Sequence, residues 1–402
     1  MNSSILSDRI LNLTESATLE MTRLSRELQG QGIDVINLSI GEPDFNTPDF
    51  VKQGAIEAIH NNITKYPPVP GLAPVREAIS KKLKRDNQLE YKPSQIVVSN
   101  GAKQSLANVF FCLLNPGDEI VVPAPYWVSY TEMIKLAGGD IKLIEAGIEA
   151  DFKVTPEQIA AAITPRTKAL LINSPSNPTG SVYSFAEMKA IAEVIAKHPD
   201  LVVISDEIYE HILFEGSHVS LASFPEIKSQ VVIINGVSKG FSMTGWRIGY
   251  LAAPQFIADA CTKLQGQFTS GAGSISQMAA AAAVSADPNQ IPELKIMVAA
   301  FKERRDLLVR MMQEIEGVKT NLPKGAFYLF PDVSSFFGKS DGNTLVNDST
   351  QLCTYLLEKA HVALVPGEAF GDPNCIRLSY ATSKELLVEA VNRIKTALAL
   401  LK

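Results

Sequence analysis

Five short apolar runs, mostly β-branched, are each followed at once by side chains that can do chemistry. Ile96–Ser99 leads into Asn100-Gly101-Ala102-Lys103-Gln104, which opens a helical pattern. Glu119–Val122 leads to Trp127, and Ala169–Asn173 leads to Asn177-Pro-Thr-Gly180. Leu201–Ser205 is followed by Asp206 and Tyr209, and Val231–Asn235 by Ser238 and Lys239. Each feature alone is weak: an Asn-Pro-x-Gly is usually a turn, an Asp at a strand end usually a cap, a lone Lys usually solvated. Together they suit one chemistry. A lysine amine condenses with an aldehyde to a Schiff base, which is covalent catalysis. A carboxylate pairs with a protonated pyridine nitrogen and makes the ring an electron sink. A tyrosine hydroxyl and an asparagine amide donate to a ring phenolate oxygen, and an indole stacks on the ring face. A helix N-terminus offers N–H groups to a phosphate, and an arginine grips it bidentately.

Such residues act together only if the runs are neighbours. Each run is four or five residues and most do not alternate, the pattern of strands buried on both faces of a parallel sheet. Helical patterns such as Ser184–Lys197 separate them at βαβ spacing, which predicts right-handed crossovers and one sheet edge carrying every carboxyl end. After Gln277 a long helical pattern, Pro292–Ile315, leads into mixed strand-like and helical pieces. The expected class is α/β: a large domain over 48–290 with a mostly parallel, helix-covered sheet, and a smaller α+β domain over 291–402, with residues 1–47 packing on the latter.

Composition narrows the function. The 402 residues, 46% hydrophobic, suffice for two cores. A net charge of -6 without a basic tail argues against a nucleic-acid binder. The densest basic stretch, Lys81-Lys82-Leu83-Lys84-Arg85, reads as a solvated helix face. The four cysteines form no Cys-x-x-Cys pair and the five histidines no ligand spacing, so no metal is expected. The longest apolar run, Met278–Val284, is far short of the ~20 residues that span a bilayer. Asp8 and Arg9 interrupt the first apolar stretch, which suits no signal peptide. The expectation is a cytoplasmic protein without membrane or nucleic-acid partners.

Ser238-Lys239-Gly-Phe-Ser-Met-Thr-Gly-Trp-Arg247-Ile-Gly-Tyr250 resembles the cofactor-lysine segment of the class-I, fold-type I pyridoxal-phosphate aminotransferases. The resemblance extends over Leu38–Phe45, Lys65–Gly71, Ala124–Tyr130, Asn177–Gly180, Asp206–Tyr209, Lys324–Tyr328, Val365–Gly371 and Ile376–Thr382, and is closest in style to the prokaryotic-type aspartate aminotransferases. It implies pyridoxal 5'-phosphate on Lys239, Asp206 on the pyridine nitrogen, Tyr209 and Asn177 on the phenolate, and Trp127 on the ring face. It gives the phosphate to Gly101, Ala102, Lys103 and Arg247. Relatives place a hydroxyl three residues before the lysine, where this chain has Gly236, so Ser238 beside the lysine is only a candidate phosphate ligand. Tyr66 resembles the residue that reaches the neighbouring subunit's phosphate, which implies a homodimer with shared sites. Arg377, which alone reads as a strand-edge ion pair, resembles the clamp on a substrate α-carboxylate, assisted by Gly41.

The resemblance implies ping-pong transfer of an amino group between an amino acid and a 2-oxo acid. For an acidic substrate the second carboxylate needs a cation. Leu264–Gly273, where one branch of the family has a partner's arginine, contains none. Lys103 is the alternative, with hydroxyls from Ser16 and Thr18. Aspartate with 2-oxoglutarate is the first expectation, and prephenate an additional acceptor. An aromatic or alanine-type aminotransferase and a C–S lyase on the same fold are the alternatives. A cofactor-binding regulator would need a DNA-binding segment ahead of Gly41, for which forty residues are too few.

Overall fold

The computed structural model describes residues 5–402. Its largest sheet has seven strands: β1 (Ile96–Ser99), β2 (Glu119–Ala124), β3 (Asp140–Glu145), β4 (Thr167–Asn173), β5 (Val202–Asp206), β6 (Val231–Gly236) and β7 (Gly249–Ala252). The spatial order is β1-β7-β6-β5-β4-β2-β3. All pairings from β2 to β6 are parallel, and β7 runs antiparallel to both β1 and β6. The five apolar runs are therefore β1, β2, β4, β5 and β6. Two strands were not foreseen. β3 reads Asp-Ile-Lys-Leu-Ile-Glu and lies at the sheet edge, largely exposed; its charges suit an edge that must not pair with another chain. β7 carries Gly249 within the Arg247 motif, and it is wholly buried.

Apolar side chains fill both faces. Ile204, Val232, Ile234 and Leu251 point to one core with Val109 and Phe110, while Val203, Ile233 and Ala252 join the other with Ile191 and Ala279. The intervening helices are locally specified. Phe185–Ile195 starts with a capping box, in which the Ser184 side chain accepts from Glu187 N–H and the Glu187 side chain from Ser184 N–H.

Beyond Ser285 the helix Pro292–Gln313 leads to a three-stranded antiparallel sheet of β8 (Tyr328–Leu329), β9 (Val365–Pro366) and β10 (Ile376–Ser379), in the order β9-β10-β8. Ile36–Asn37 pairs in parallel with Val362–Ala363. The Arg304 guanidinium grips Asp44 with bonds of 2.7 and 2.9 Å, fixing the chain just after Gly41 against the long helix.

The basic stretch 81–85 corrects a sequence expectation. It does close the helix Ala73–Asn87, but Lys82 is only 2% exposed. Its ammonium is paired with Glu210, also buried, whose carboxylate also accepts from Asn87 Nδ2 (3.0 Å) and Asn235 Nδ2 (2.9 Å). The partner lies far away in sequence, in the turn after β5, so no local pattern signals it. This network backs the turn that carries Asp206 and Tyr209. Breaking one half of a buried pair strands the other charge, so Lys82→Met is expected to cost about 3–5 kcal/mol in chemical unfolding. The exposed neighbour change Lys84→Met is expected to stay within about 0.5 kcal/mol; equal small effects would contradict the buried role.

Candidate active site

A cavity of about 440 Å³ opens beyond the carboxyl ends of β4, β5 and β6. Thr18, Gly41, Ala102, Lys103, Trp127, Asn177, Asp206, Tyr209, Ser238, Lys239, Arg247 and Arg377 all line it. Parallel pairing sets Asn173 opposite Asp206 at the ends of β4 and β5, so the loops carrying Asn177, Asp206 and Lys239 leave the sheet side by side. A larger, more open cleft of about 930 Å³ adjoins it and shares Ser16, Lys103, Val128, Ser129 and Arg247. The chemistry gathers in the smaller one, which alone of the two holds Asp206 and Lys239.

Asp206 is 3% exposed. Its Oδ2 accepts from Tyr130 Oη at 2.5 Å and its Oδ1 from Ile208 N–H at 3.2 Å. Burial pushes its pKa up to about 6, against the opposing pull of Tyr130. Lys239 Nζ donates to the Gly41 carbonyl at 2.5 Å. Desolvation, reinforced by the nearby Arg377 charge, brings its pKa down to about 8, which places a neutral, nucleophilic amine within reach of physiological pH.

Arg377 stands on the central strand β10 and is 2% exposed. Nη1 donates to Asn177 Oδ1 (3.0 Å), Nη2 to the Ser39 carbonyl (2.6 Å), and the buried Nε has no partner. Its guanidinium carbon lies 4.6 Å from the Tyr328 ring centroid. No carboxylate pairs with it among the described residues, so the strand-edge ion pair is replaced by a buried cation without its anion. Because Asn177 commits its amide oxygen to Arg377, its NH₂ is the group left for a ligand. Tyr209 Oη shares a 2.9 Å bond with Tyr328 Oη.

The opposite wall is basic. Gly101 has φ +83°, and a Cβ there would meet Arg247 Nη2 at 2.5 Å. A glycine therefore lets the guanidinium approach the first turn of the helix Ala102–Leu113, whose first two residues, Ala102 and Lys103, line the cavity. Arg247 Nη1 is held by the Thr244 carbonyl at 3.0 Å. Lys103 Nζ lies 5.2 Å from the Trp127 ring centroid, and burial, then Arg247, lowers its pKa. The result is a set of anion donors around a space a side chain would fill, suited to a phosphate.

Two sequence candidates line neither cavity: Gly101 lies just behind Ala102 against Arg247, and Tyr66 stands elsewhere, fully exposed. Two residues went unassigned in the sequence. Tyr328 shields Arg377, bonds Tyr209 and closes on Gly41, where a Cβ would lie 2.5 Å from its hydroxyl. Tyr130 reaches Asp206. Both lie in segments that carry the resemblance, yet only tertiary contact reveals what they touch.

The pattern of the family described as aminotransferase class I and II matches residues 33–394, and the chain belongs to that family. A bifunctional aspartate aminotransferase and glutamate/aspartate-prephenate aminotransferase of Petunia hybrida is 49% identical over 399 residues, covering 99% of this chain and 83% of the relative. The structure of the aspartate aminotransferase from Rhizobium meliloti is similar with a TM-score of 0.95 and 40% identity, covering 99% of both chains. That of the Thermus thermophilus aspartate aminotransferase with maleate gives 0.91 and 40%, covering 98% of this chain and 99% of the other.

The amine's environment has a pH consequence. Unfolded, a lysine titrates near ~10.4; folded, Lys239 titrates at about 8. Below pH 8 both states are charged and the fold bears the full desolvation cost, which fades as the folded state loses its proton. Lys239→Met is therefore expected to raise the apoprotein's melting temperature most below pH 8, with the advantage shrinking toward pH 10. An advantage that does not vary with pH would contradict the depressed pKa.

Proposed function

We propose that this protein is a pyridoxal 5'-phosphate-dependent aspartate aminotransferase that transfers the amino group to 2-oxoglutarate, with prephenate as a further acceptor. The observation that carries the reading is a buried amine and a buried carboxylate, Lys239 and Asp206, facing one cavity with a guanidinium that has no acid to pair with. The bound cofactor supplies an aldehyde that condenses with amines and a protonated pyridine ring that withdraws electrons from the substrate Cα.

The chain's own residues do the rest. Asp206 holds the proton on the pyridine nitrogen. Tyr209 and the Asn177 amide donate to the phenolate oxygen, Trp127 covers the ring face, and Arg247, the backbone of Gly101, Ala102 and Lys103, and Ser238 hold the phosphate. Lys239 Nζ would be the base that takes the proton from the substrate Cα and delivers it to the cofactor carbon. Arg377 grips the α-carboxylate in a fork beside Gly41, at a site dry enough for the pairing to be strong. For the second carboxylate, Lys103 is the cation and Thr18 the hydroxyl donor; both line the cavity, and the Thermus relative was solved with the dicarboxylate maleate.

The exposed Tyr66 fits a homodimer in which it completes the partner's phosphate site. The pairing of Ile36–Asn37 with Val362–Ala363 supports the segment up to residue 47, of which 1–4 lie outside the described residues, joining a small domain over 291–402, apart from the large domain over 48–290. No helix among the described residues is long and apolar enough to cross a membrane, and all four cysteines are free, in keeping with a cytoplasmic setting.

Incubation with aspartate and 2-oxoglutarate is expected to give glutamate, and Lys239→Ala to lower kcat by at least about 10⁴-fold. Ammonia and pyruvate from a sulfur amino acid, without glutamate, would establish a lyase instead. Arg377→Lys keeps the charge but loses the fork, so KM for aspartate and for alanine is expected to rise together, by about tenfold or more. Lys103→Ala is expected to raise KM for aspartate about tenfold and leave that for alanine unchanged; an equal rise for both would remove Lys103 from the distal site.

A further inference from the structure

Tyr130 belongs to the helix Ser129–Leu136, is 1% exposed, and touches two of the cavity's walls at once. Its hydroxyl donates to Asp206 Oδ2 at 2.5 Å. Its ring meets the Trp127 indole edge-on, with centroids 5.3 Å apart and planes at 88°. The first contact governs a carboxylate, the second an aromatic platform.

The surroundings of Asp206 leave much to this one hydroxyl. Among the described residues the carboxylate receives two hydrogen bonds, from Tyr130 and from Ile208 N–H. Lys239, past the end of β6, favours the charged form, while Glu207, next in the chain, opposes it. Tyr209 lies close enough to feel the carboxylate, but its hydroxyl sits 2.9 Å from Tyr328 Oη and makes no hydrogen bond to Asp206 among the described residues. Burial pushes the Tyr130 phenol well above its usual range, so it stays protonated and remains a donor throughout the working pH.

We propose that Tyr130 is a positioning residue: its hydroxyl keeps the buried Asp206 ionised and aimed at the pyridine nitrogen, and thereby sets the lower pH limit at which the apoprotein accepts the cofactor ring. The inference rests on the cofactor reading above. Below its pKa, Asp206 carries a proton of its own, and receiving a protonated pyridine ring requires expelling it. Affinity then falls about tenfold per pH unit. Removing a donor to the charged form raises the carboxylate's pKa, so the fall begins at higher pH.

The test measures the dissociation constant of pyridoxine 5'-phosphate for the apoprotein between pH 5 and 8.5. This probe has the ring and the phosphate but no aldehyde, so condensation with Lys239 does not enter. The titration of its phosphate is common to every variant and cancels in the ratio of constants. Wild type is expected to lose affinity below about pH 6. Tyr130→Phe keeps the edge contact and is expected to lose affinity from about one pH unit higher, so that near pH 6 it binds about tenfold more weakly while the two converge above pH 8. A fluorinated tyrosine at position 130, close in shape and a stronger donor, is expected to shift the limit downward, and it serves should the Phe variant fold poorly. Limits that coincide in wild type and variant, or a uniform loss at every pH, would overturn the role of the hydroxyl. A wild-type apoprotein that binds neither this probe nor pyridoxal 5'-phosphate would overturn the cofactor reading itself, and this inference with it.

Discussion

Charge buried without its counter-charge is the constraint on which this site depends. Arg377 is enclosed by Tyr328 and Phe370 and answered by a carbonyl and an amide, with no acid among the described residues. Lys239 is held against the Gly41 carbonyl with its basicity depressed, and Lys103 and Arg247 crowd the far wall. The buried carboxylate that lines the cavity, Asp206, is itself pushed up by burial. Such an arrangement costs folding energy and is relieved by an anionic ligand carrying a phosphate and carboxylates. The same low-dielectric setting strengthens each contact once that ligand is in place.

Holding like charges near one another demands a stiff support. The parallel register delivers Asn177, Asp206 and Lys239 from adjacent strands whose side chains are packed on both faces. Behind the turn after β5, Lys82 neutralises Glu210 and ties it to the helix Ala73–Asn87. On the other side Arg304 clamps Asp44, which steadies the segment that brings Gly41 against Lys239 and Tyr328. The site is thus assembled from elements remote in sequence, each fixed by a contact that does not touch the cavity.

The five doubly buried strands were legible because continuous β-branched runs leave no other economical structure, and the residues after them could be read as one edge. β3 escaped because an edge strand carries charge where an interior one carries none, and β7 because its glycine and motif neighbours hid a short antiparallel insertion. The chemistry-bearing residues were legible through their types and the family resemblance. Tyr130, Tyr328 and Lys82 were not, because what each does depends on a partner that no spacing encodes: Asp206 76 residues away, Tyr209 119 away and Glu210 128 away. Lys82 even reads as solvent-facing within its run, and only the three-dimensional packing turns it into a buried counter-ion.

The proposed chemistry stands or falls with Lys239 as the amine that carries the cofactor. Reducing the protein with borohydride in the presence of pyridoxal 5'-phosphate, then digesting and sequencing by mass spectrometry, reads that bond directly. One stoichiometric phosphopyridoxyl adduct is expected on Lys239, protected by aspartate. Adducts spread over exposed lysines such as Lys84, with Lys239 unmodified, would contradict it.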